Sequence, residues 1–334
     1  MKHVSILVPE RAVLAAIDDP RQIFAQVNQF YAASGRAPVF DIKFVGLKPE
    51  VFLHESAFSV HTDALLDDVA RTDLVFVPAF AGAAPEFLAA NRPFVEWIRR
   101  QYDGGAEIVS LCVGAFMLAE TGLLDGRQCS THWRAADEFR RMFPQIELVT
   151  DKIITEDGRL YTSGGATSYW NLLLYLVEKF TDRETAVLTA KMFAIDIERH
   201  SQSQFIIFKG QRDHADEPVK RAQKFIETNF HEKLTVERLS EMFAISRRHF
   251  ERRFKRATAN TVNEYVRRVR IEAAKKSFET TRKNILEVMM DVGYSDTKAF
   301  RGTFKKITGM TPVDYRSKYN KLATNKHEKT RKVL

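Results

Sequence analysis

The chain has 334 residues, and 45% of its side chains are hydrophobic, enough for more than one hydrophobic core. No apolar run approaches the roughly 18 residues that a membrane-spanning helix needs, and the N-terminus is too quickly polar for a signal peptide. Only two cysteines are present, which argues against a disulfide scaffold and indicates a reducing, cytoplasmic setting.

Charge is divided sharply along the chain. Residues 218–334 contain 29 Lys and Arg against 13 Asp and Glu, a net charge of +16. Residues 1–217 contain 22 against 30, a net charge of −8. Such asymmetry is typical of a protein in which one part binds a polyanion and the other part does not. A basic face that is merely solvated is the alternative interpretation.

The first 200 residues are expected to form an α/β domain. The apolar runs VSILVPE and DLVFVPAF indicate buried strands, and residues 107–120 and 159–180 each pass from a strand directly into a helix. Strands that alternate with helices predict a mainly parallel sheet with both faces covered, a flavodoxin-like sandwich. Ligands of such sheets bind beyond the carboxyl ends of the strands, where Cys112 and the Gly164–Gly165 turn are expected.

Cys112 allows several interpretations. It lies between a strand and a helix, as in a nucleophile elbow, and a helix N-terminus can lower the pKa of a thiol. A small residue under a tight turn beneath a ligand pocket is the plainer explanation, and oxidation of the thiol as a signal is a third. His132 in the segment STHW is the other polar candidate, although a lone histidine is often structural and its neighbour Trp133 could be a core residue.

Composition also predicts the domain boundaries. The polar stretch 201–217 is expected to be a hinge after a first domain of residues 1–200. Pro218 is expected to begin a second, all-α domain that ends at residue 318. Residues 319–334 are expected to form a basic, disordered tail.

The last third of the chain contains a duplicated segment. FERRFKRATANTVNEY (250–265) aligns with FRGTFKKITGMTPVDY (300–315) at an offset of 50 residues. The same offset is expected to hold upstream, where it pairs Ser246 with Asp296 and extends through the preceding helix. Each copy predicts two short helices around a tight turn, with phenylalanines inward and Ser246 or Asp296 as the N-cap of the second helix.

Both copies direct basic side chains outward. A helix-turn-helix unit inserts its second helix into the major groove of double-stranded DNA, where arginine can bind guanine and lysine more often binds phosphate. Arg248 and Arg252 are therefore expected to read bases, with Arg247 nearer the DNA backbone. The predicted DNA-contacting residues are Arg247, Arg248, Glu251, Arg252 and Lys255 in the first copy and Thr297, Lys298, Arg301 and Lys305 in the second.

The two copies are not equivalent, and the segment between them is strongly helix-forming. Gly302 occupies the position that Arg252 has in the first copy, so the second copy is expected to discriminate less between bases. A helix over residues 262–278 would hold the two copies at a fixed separation, as two successive major grooves require. A helical bundle without a DNA partner is the alternative, but it leaves the repeated basic faces unexplained.

Residues 219–318 resemble the AraC/XylS family of transcription regulators, most clearly in VGYSDTKAFRGTFKKITGMTPVDYR. The resemblance implies a sequence-specific DNA-binding regulator, most often an activator. Residues 3–195 resemble the PfpI/ThiJ branch of class I glutamine amidotransferase-like domains, in DLVFVPAF, LCVGAFMLAETGLLDGR and STHW. The whole chain resembles regulators that fuse these two domains.

Enzymes of the second family use a cysteine followed by histidine, together with an acidic residue after the first strand. Cys112 matches this pattern, Val113 does not, and alanines stand near the expected acid, with Glu10 and Asp18 close by. The resemblance therefore implies a sensor domain without catalysis; a cysteine-dependent hydrolase fused to a DNA-binding domain is the alternative. The candidate ligand-binding residues are Glu10, Cys112, Val113, His132, Trp133, Gly164 and Gly165.

The expected partners follow from these features. Two linked chains, each with two helix-turn-helix units, bind repeated half-sites more tightly than one chain does. We therefore expect a homodimer on promoter or operator DNA. A small-molecule effector is expected to bind the first domain. The resemblance suggests nitrogenous metabolites such as amino acids or quaternary amines, although no residue identifies one. No cofactor is expected, and no metal, because no His, Cys and Asp cluster has the spacing of a metal site.

Overall fold

The structure is a computed structural model of the chain, and it describes residues 1–196, 201–208, 210–212 and 214–320. The chain divides into two compact units, the first ending at Gln202 and the second beginning at Ser203. The second unit thus begins within the stretch expected to be a hinge, and whether that stretch moves stays a prediction. From residue 321 onward, the expected tail lies outside the described residues.

The first unit alternates strands and helices, as the apolar runs predict. Its strands are β1 (Lys2–Val8), β2 (Phe40–Gly46), β3 (Glu50–Leu53), β4 (Phe58–His61), β5 (Ala64–Leu65), β6 (Leu74–Val77), β7 (Glu107–Ser110), β8 (Gln128–Cys129), β9 (Glu147–Leu148), β10 (Ile154–Asp157) and β11 (Leu160–Ser163). Its helices are α1 (Leu14–Ala33), α2 (Ala84–Ala90), α3 (Arg92–Asp103), α4 (Ala115–Glu120), α5 (Ala136–Met142), α6 (Tyr169–Phe180) and α7 (Arg183–Met192).

Seven of these strands form one sheet in the order β10-β11-β7-β6-β1-β2-β5, and only the β10–β11 pair is antiparallel. The central order β2-β1-β6-β7-β11 is that of the flavodoxin-like fold. Helices α1, α6 and α7 pack on one face and α2 to α5 on the other. Strand β6 is buried at all four positions because both faces are covered, which explains its unbroken apolar sequence. The predicted sandwich is confirmed.

The second unit is helical. Its helices are α8 (Glu217–Thr228), α9 (Val236–Met242), α10 (Arg247–Thr258), α11 (Val262–Thr280), α12 (Ile285–Asp291), α13 (Thr297–Thr308) and α14 (312–320). Helices α8, α9 and α10 pack with the N-terminal half of α11 around one core, and α12, α13 and α14 pack with its C-terminal half around another. The two helix-turn-helix units therefore share one continuous helix.

The duplicated aromatic residues make the same contacts in both copies. The ring of Phe254 meets Tyr265 edge-on at 5.3 Å between centroids, and Phe304 meets Tyr315 at 5.4 Å. Each tyrosine hydroxyl donates a hydrogen bond to a glutamate carboxylate, at 2.6 and 2.5 Å respectively. The downstream half of the repeat is thus a repeat of packing as well as of sequence.

The 50-residue offset does not extend upstream of the turn, and this part of the sequence interpretation is wrong. The left-handed residues after the first helices, Ala244 (φ 52°) and Gly293 (φ 80°), are 49 positions apart. The second helices begin at Arg247 and Thr297, which are 50 apart. The second turn therefore contains one extra residue, which a surface connection can accommodate without disturbing either core.

The second helices begin at the predicted caps, but the caps differ. Asp296 accepts a hydrogen bond from the backbone N–H of Ala299 at 2.5 Å. Ser246 has the extended backbone of an N-cap residue, yet its side chain makes no capping hydrogen bond. The predicted hydroxyl cap is therefore correct in position only, and the carboxylate cap of the second copy is the stronger one.

The matched turns predict opposite effects of two substitutions. An alanine in the left-handed region is strained by about 1 kcal/mol, so Ala244→Gly should raise the free energy of unfolding by about 0.5–1 kcal/mol. Gly293→Ala should lower it by about 1 kcal/mol or more, because the added Cβ would lie 2.5 Å from the backbone oxygen of His231. Urea denaturation followed by circular dichroism measures both changes.

Ala299→Gly is the control, since glycine within the first turn of α13 should be destabilising at an ordinary helical position. Stabilisation by all three changes, or by none of them, would contradict the assignment of the left-handed turns.

Candidate functional site

The second helices α10 and α13 expose their polar faces. All nine residues predicted to contact DNA are exposed, and the phenylalanines between them are buried in the two cores. The exposed residues are Arg247, Arg248, Glu251, Arg252 and Lys255 on α10 and Thr297, Lys298, Arg301 and Lys305 on α13.

Two arginines of α10 are held by neighbouring side chains. Arg247 forms an ion pair with Glu237 of α9 and lies 3.7 Å from the Glu251 carboxylate. Arg252 Nη2 lies 2.5 Å from Nε2 of His249, one turn earlier. A neutral imidazole can accept this hydrogen bond and orient the guanidinium. His249 was missed by the sequence analysis, although its spacing of three residues from Arg252 on a helix is the signal that could have revealed it.

Helix α13 is more uniformly basic than α10. It contains no acidic residue, whereas α10 contains Glu251. Within the described part of the chain, no ion pair holds Lys298, Arg301 or Lys305. A Cβ added at Gly302 would meet no atom within 4 Å, so this position is an open gap in the outer face. This arrangement suits phosphate contacts better than base reading.

One arginine of α10 has a structural role instead. The guanidinium of Arg253 makes two hydrogen bonds of 2.8 Å to the carboxylate of Asp216, the N-cap residue of α8. These hydrogen bonds lower the pKa of Asp216 and outweigh the effect of its burial. The contact fixes α10 against the first helix of the unit, so Arg253 belongs to the scaffold rather than to the outer face.

In the first unit, Cys112 lies in a tight turn at the carboxyl end of β7. It has a left-handed backbone (φ 56°) and begins a 3₁₀ turn, Cys112–Gly114, that leads into α4. A Cβ at Gly114 would lie 2.5 Å from the backbone oxygen of Val77, so the turn requires glycine there. This strained strand-turn-helix geometry is that of a nucleophile elbow.

The structure brings most of the candidate ligand-binding residues together. The backbone N–H of Cys112 donates to the Ser163 hydroxyl at 3.1 Å, and the Thr131 hydroxyl donates to the Cys112 carbonyl at 3.0 Å. A Cβ at Gly165 would lie 2.6 Å from the imidazole ring of His132. The loops after β7, β8 and β11 therefore meet at one point. Val113 and Trp133, each half-buried, lie next in sequence to Cys112 and His132.

Glu10 is placed differently from the rest. Its carboxylate is exposed and bonded to the ammonium group of Lys48 at 2.8 Å, and its backbone N–H donates to Asn91. The ion pair with Lys48 explains why this carboxylate is directed to the surface.

Asp19, which the sequence analysis missed, is bonded to Tyr169, a residue of the same buried core as Cys112. Tyr169 donates to the Asp19 carboxylate at 2.6 Å. Burial raises the pKa of Tyr169, and its hydrogen bond to Asp19 and the charges of Asp19 and Cys112 raise it further. Burial also raises the pKa of Asp19, against the effect of its hydrogen bonds. Both aspartates are half-buried, but Asp18 forms an ion pair with Arg21, whereas Asp19 bonds to Tyr169.

His132 is suited to accept hydrogen bonds in its neutral form. Burial is the main cause that lowers its pKa, and the charge of Arg134 lowers it further. Its Nδ1 already accepts the backbone N–H of Arg134 at 3.1 Å, so the opposite ring edge is the one that faces Gly165. In the neutral form that accepts at Nδ1, the proton is on Nε2, so that side of the ring offers a hydrogen-bond donor.

Within the residues that the structure describes, no group of three or more His, Cys, Asp or Glu side chains is placed to hold a metal ion. No helix of that same part of the chain is long and apolar enough to span a membrane.

Two family models match the chain in the regions just described. A helix-turn-helix domain model matches residues 239–318, and the model of the DJ-1/PfpI family matches residues 31–179. The chain therefore joins a DJ-1/PfpI domain to an AraC-type helix-turn-helix domain. The HTH-type transcriptional regulator CdhR of Pseudomonas aeruginosa is 28% identical over 267 residues, which cover 79% of this chain and 78% of CdhR. On this evidence the chain is a DNA-binding transcription regulator.

Further comparisons concern the first unit. Isonitrile hydratase of Pseudomonas putida is 31% identical over 124 residues, 36% of this chain and 51% of the enzyme. The crystal structure of a transcriptional regulator protein from Vibrio parahaemolyticus superposes with a TM-score of 0.52 at 23% identity, and covers 57% of this chain and 98% of that protein. The first unit is thus similar in sequence to part of an enzyme, and its fold occurs in the Vibrio protein.

The unequal outer faces predict different effects of substitutions on the two helices. Arg252→Ala should weaken binding to a duplex selected by the wild-type protein by about 1–3 kcal/mol, because a base-reading guanidinium is lost. It should have little effect on a random duplex. Lys305→Ala, the control, should weaken binding to both duplexes alike. Fluorescence anisotropy measures both, and equal losses for Arg252→Ala on the two duplexes would show that Arg252 reads no base.

Proposed function

We propose that this regulator activates transcription, that α10 and α13 bind promoter or operator DNA, and that a small molecule controls it by binding beside Cys112. The observation that carries the DNA part is the pair of helices with exposed basic faces whose cores share α11. A single helix of 19 residues contributes to both cores, so neither outer face can move freely of the other. Two readers held in this way suit two successive major grooves.

The two readers are assigned different tasks. Arg248 and Arg252 of α10 read bases, with His249 orienting Arg252, while Arg247 is partly neutralised by Glu237 and stays near the DNA backbone. Thr297, Lys298, Arg301 and Lys305 of α13 bind phosphates and set the register. The support is the open position at Gly302 and the absence of acidic residues in α13.

The proposed effector site lies where the loops after β7, β8 and β11 meet. Cys112, His132 and the Gly164–Gly165 turn form its centre, because glycine at position 165 lets the backbone approach the imidazole ring. Asp19 and Tyr169 supply a carboxyl and a hydroxyl nearby. A half-buried carboxyl group with aromatic neighbours is compatible with a nitrogenous metabolite as effector.

We propose that this domain binds without catalysis. Cys112 is 6% exposed, and its backbone is held by Ser163 and Thr131. The following residue is Val113, so the adjacent histidine of the enzymes is missing. The hydrolase alternative rests on the elbow geometry and on the similarity to isonitrile hydratase. A homodimer in the cytoplasm is the assembly that we propose for DNA binding.

DNA binding through the basic faces predicts a steep dependence on salt. If the two helices together neutralise about six phosphates, the affinity of the full chain should fall by roughly a thousandfold between about 50 and 200 mM salt. Lys298→Ala should make the slope of log Kd against log salt shallower by about one unit. Titrations at several salt concentrations measure the slopes, and a flat response would contradict the phosphate-binding role of these faces.

Binding without catalysis predicts that the thiol is dispensable. A thermal-shift screen of metabolites against the full chain identifies compounds that raise its apparent stability by mass action. With any such compound, Cys112→Ser should keep the shift within a few degrees, because serine can keep the backbone hydrogen bonds of the turn. Loss of DNA regulation together with an unchanged shift would instead favour cysteine chemistry.

A further inference from the structure

Part of the expected hinge is bonded to the second unit. Residues 203–208, 210–212 and 214–216, here called the strap, cross its helices before α8 begins. The strap carbonyl of Gln211 accepts a hydrogen bond from Gln223 of α8 at 2.8 Å. The side-chain oxygen of Gln211 accepts a second hydrogen bond, from Asn260 between α10 and α11, at 3.0 Å. A polar segment with such contacts is part of the helical unit that it crosses.

The strap reaches both helix-turn-helix copies. At its C-terminal end, Asp216 holds Arg253 of α10 through two hydrogen bonds of 2.8 Å. At its N-terminal end, the turn Ser203–Phe205 packs against α13, and Gln204 accepts a hydrogen bond from Lys318 of α14 at 2.7 Å. One segment of chain therefore contacts both copies, and it can influence α10 and α13, here called the reading helices, together.

A buried lysine fixes the middle of the strap. Lys275 of α11 is 4% exposed, and its ammonium group donates to the carbonyl of Ile206 at 2.5 Å and to Glu272 at 3.0 Å. The same carboxylate accepts the backbone N–H of Phe208 at 3.1 Å. A buried ammonium group is costly unless its hydrogen bonds are satisfied, so the strap carbonyl is part of what stabilises Lys275 in the interior.

The residue before the strap is anchored in the first unit. Gln202 is 1% exposed, and its side-chain oxygen accepts the backbone N–H of Gly165 at 2.9 Å. Its side-chain nitrogen donates to the carbonyls of Thr131 at 3.1 Å and Lys152 at 3.4 Å. A Cβ at Gly164 would lie 2.8 Å from this amide group. One side chain therefore connects three loops that are distant in sequence.

Two of those loops, at Thr131 after β8 and at Gly165 after β11, also form the proposed effector site. Thr131 also donates to the Cys112 carbonyl, and Gly165 lies against His132. A ligand that displaced the Gly164–Gly165 turn or the loop at Thr131 would thus change the hydrogen bonds of Gln202. Ser203, the first residue of the strap, follows Gln202 directly in the sequence.

We propose that Gln202 is a positioning residue of the effector site and that the strap transmits the state of that site to both reading helices. The proposal rests on the proposed function, because it requires a ligand beside Cys112. A ligand acts through this chain only if it binds the two arrangements of Gln202 with different affinity. A short segment anchored at both ends passes on a displacement that a flexible linker would absorb.

The test compares two buried glutamines in the full chain. Gln101 is 5% exposed and makes the same pattern of bonds, accepting from the N–H of Thr72 and donating to the carbonyls of Val69 and Ala70. Gln202→Ala should weaken binding to a duplex selected by the wild-type protein by about fivefold or more. Without this anchor, α10 and α13 should lose more conformational freedom when they bind DNA, and this loss reduces the affinity. Gln101→Ala should leave the Kd unchanged.

A flexible insertion provides the second arm. Gly-Ser-Gly-Ser-Gly-Ser placed between Gln202 and Ser203 should weaken binding as Gln202→Ala does, and the combined variant should be no weaker than either. Hydrogen exchange at the Phe208 amide should be faster in Gln202→Ala than in Gln101→Ala. Equal affinities of the two glutamine variants, or additive losses with the insertion, would overturn the proposal.

Two further outcomes remain distinguishable. If the wild-type protein selects no duplex, DNA binding itself has failed; equal exchange at Phe208 in the two glutamine variants would then separately overturn the strap proposal. If Gln202→Ala does not fold, Lys275→Met tests the strap at its contact with α11 instead. We expect faster exchange at Phe208 and a weaker Kd in that variant, and wild-type values for both would overturn the proposal.

Discussion

The packing of both helix-turn-helix cores on α11 is the constraint on which the rest of the second unit depends. Tyr265, near one end of this helix, packs on Phe254, and Phe278, near the other end, packs on Phe304. The rotation of α10 and of α13 about its own axis is therefore set by aromatic rings on the same helix, α11. Dense cores tolerate little adjustment. The relative orientation of the exposed faces of α10 and α13 is therefore set by buried residues.

Close approach of backbones has a similar organising role in the first unit. The turn at Cys112 requires Gly114, and the turn at Gly164–Gly165 leaves room for Gln202 and His132. Any side chain at these glycines would separate the loops that meet beside Cys112. The site is thus built largely from main chain and from the small groups that bond to it, which suits recognition better than it suits proton transfer.

Periodicity and identity predicted the sheet, the doubled helical unit and the exposed basic residues, because each is a property of a local segment. The extra residue in the second turn could not be recognised, because the identical residues downstream of the turn suggested one 50-residue offset for the whole repeat. Asp19 was missed because Asp18 and Asp19 are neighbours that differ only in their position around α1. Asp19 is three residues after Ala16 and four before Ile23, both of which are buried. Gln202 could not be predicted, because its partners come from three loops that only the tertiary fold brings together.

The longer second turn has a consequence for how the protein lies on DNA. A protein with two identical readers in tandem would see nearly the same groove geometry at both steps. Here the turns differ by one residue and the outer faces differ at Arg252 and Gly302, so one end of the reader is distinguishable from the other. Each bound chain therefore has a polarity along the double helix. Its orientation on a duplex, and not only its position, is therefore defined.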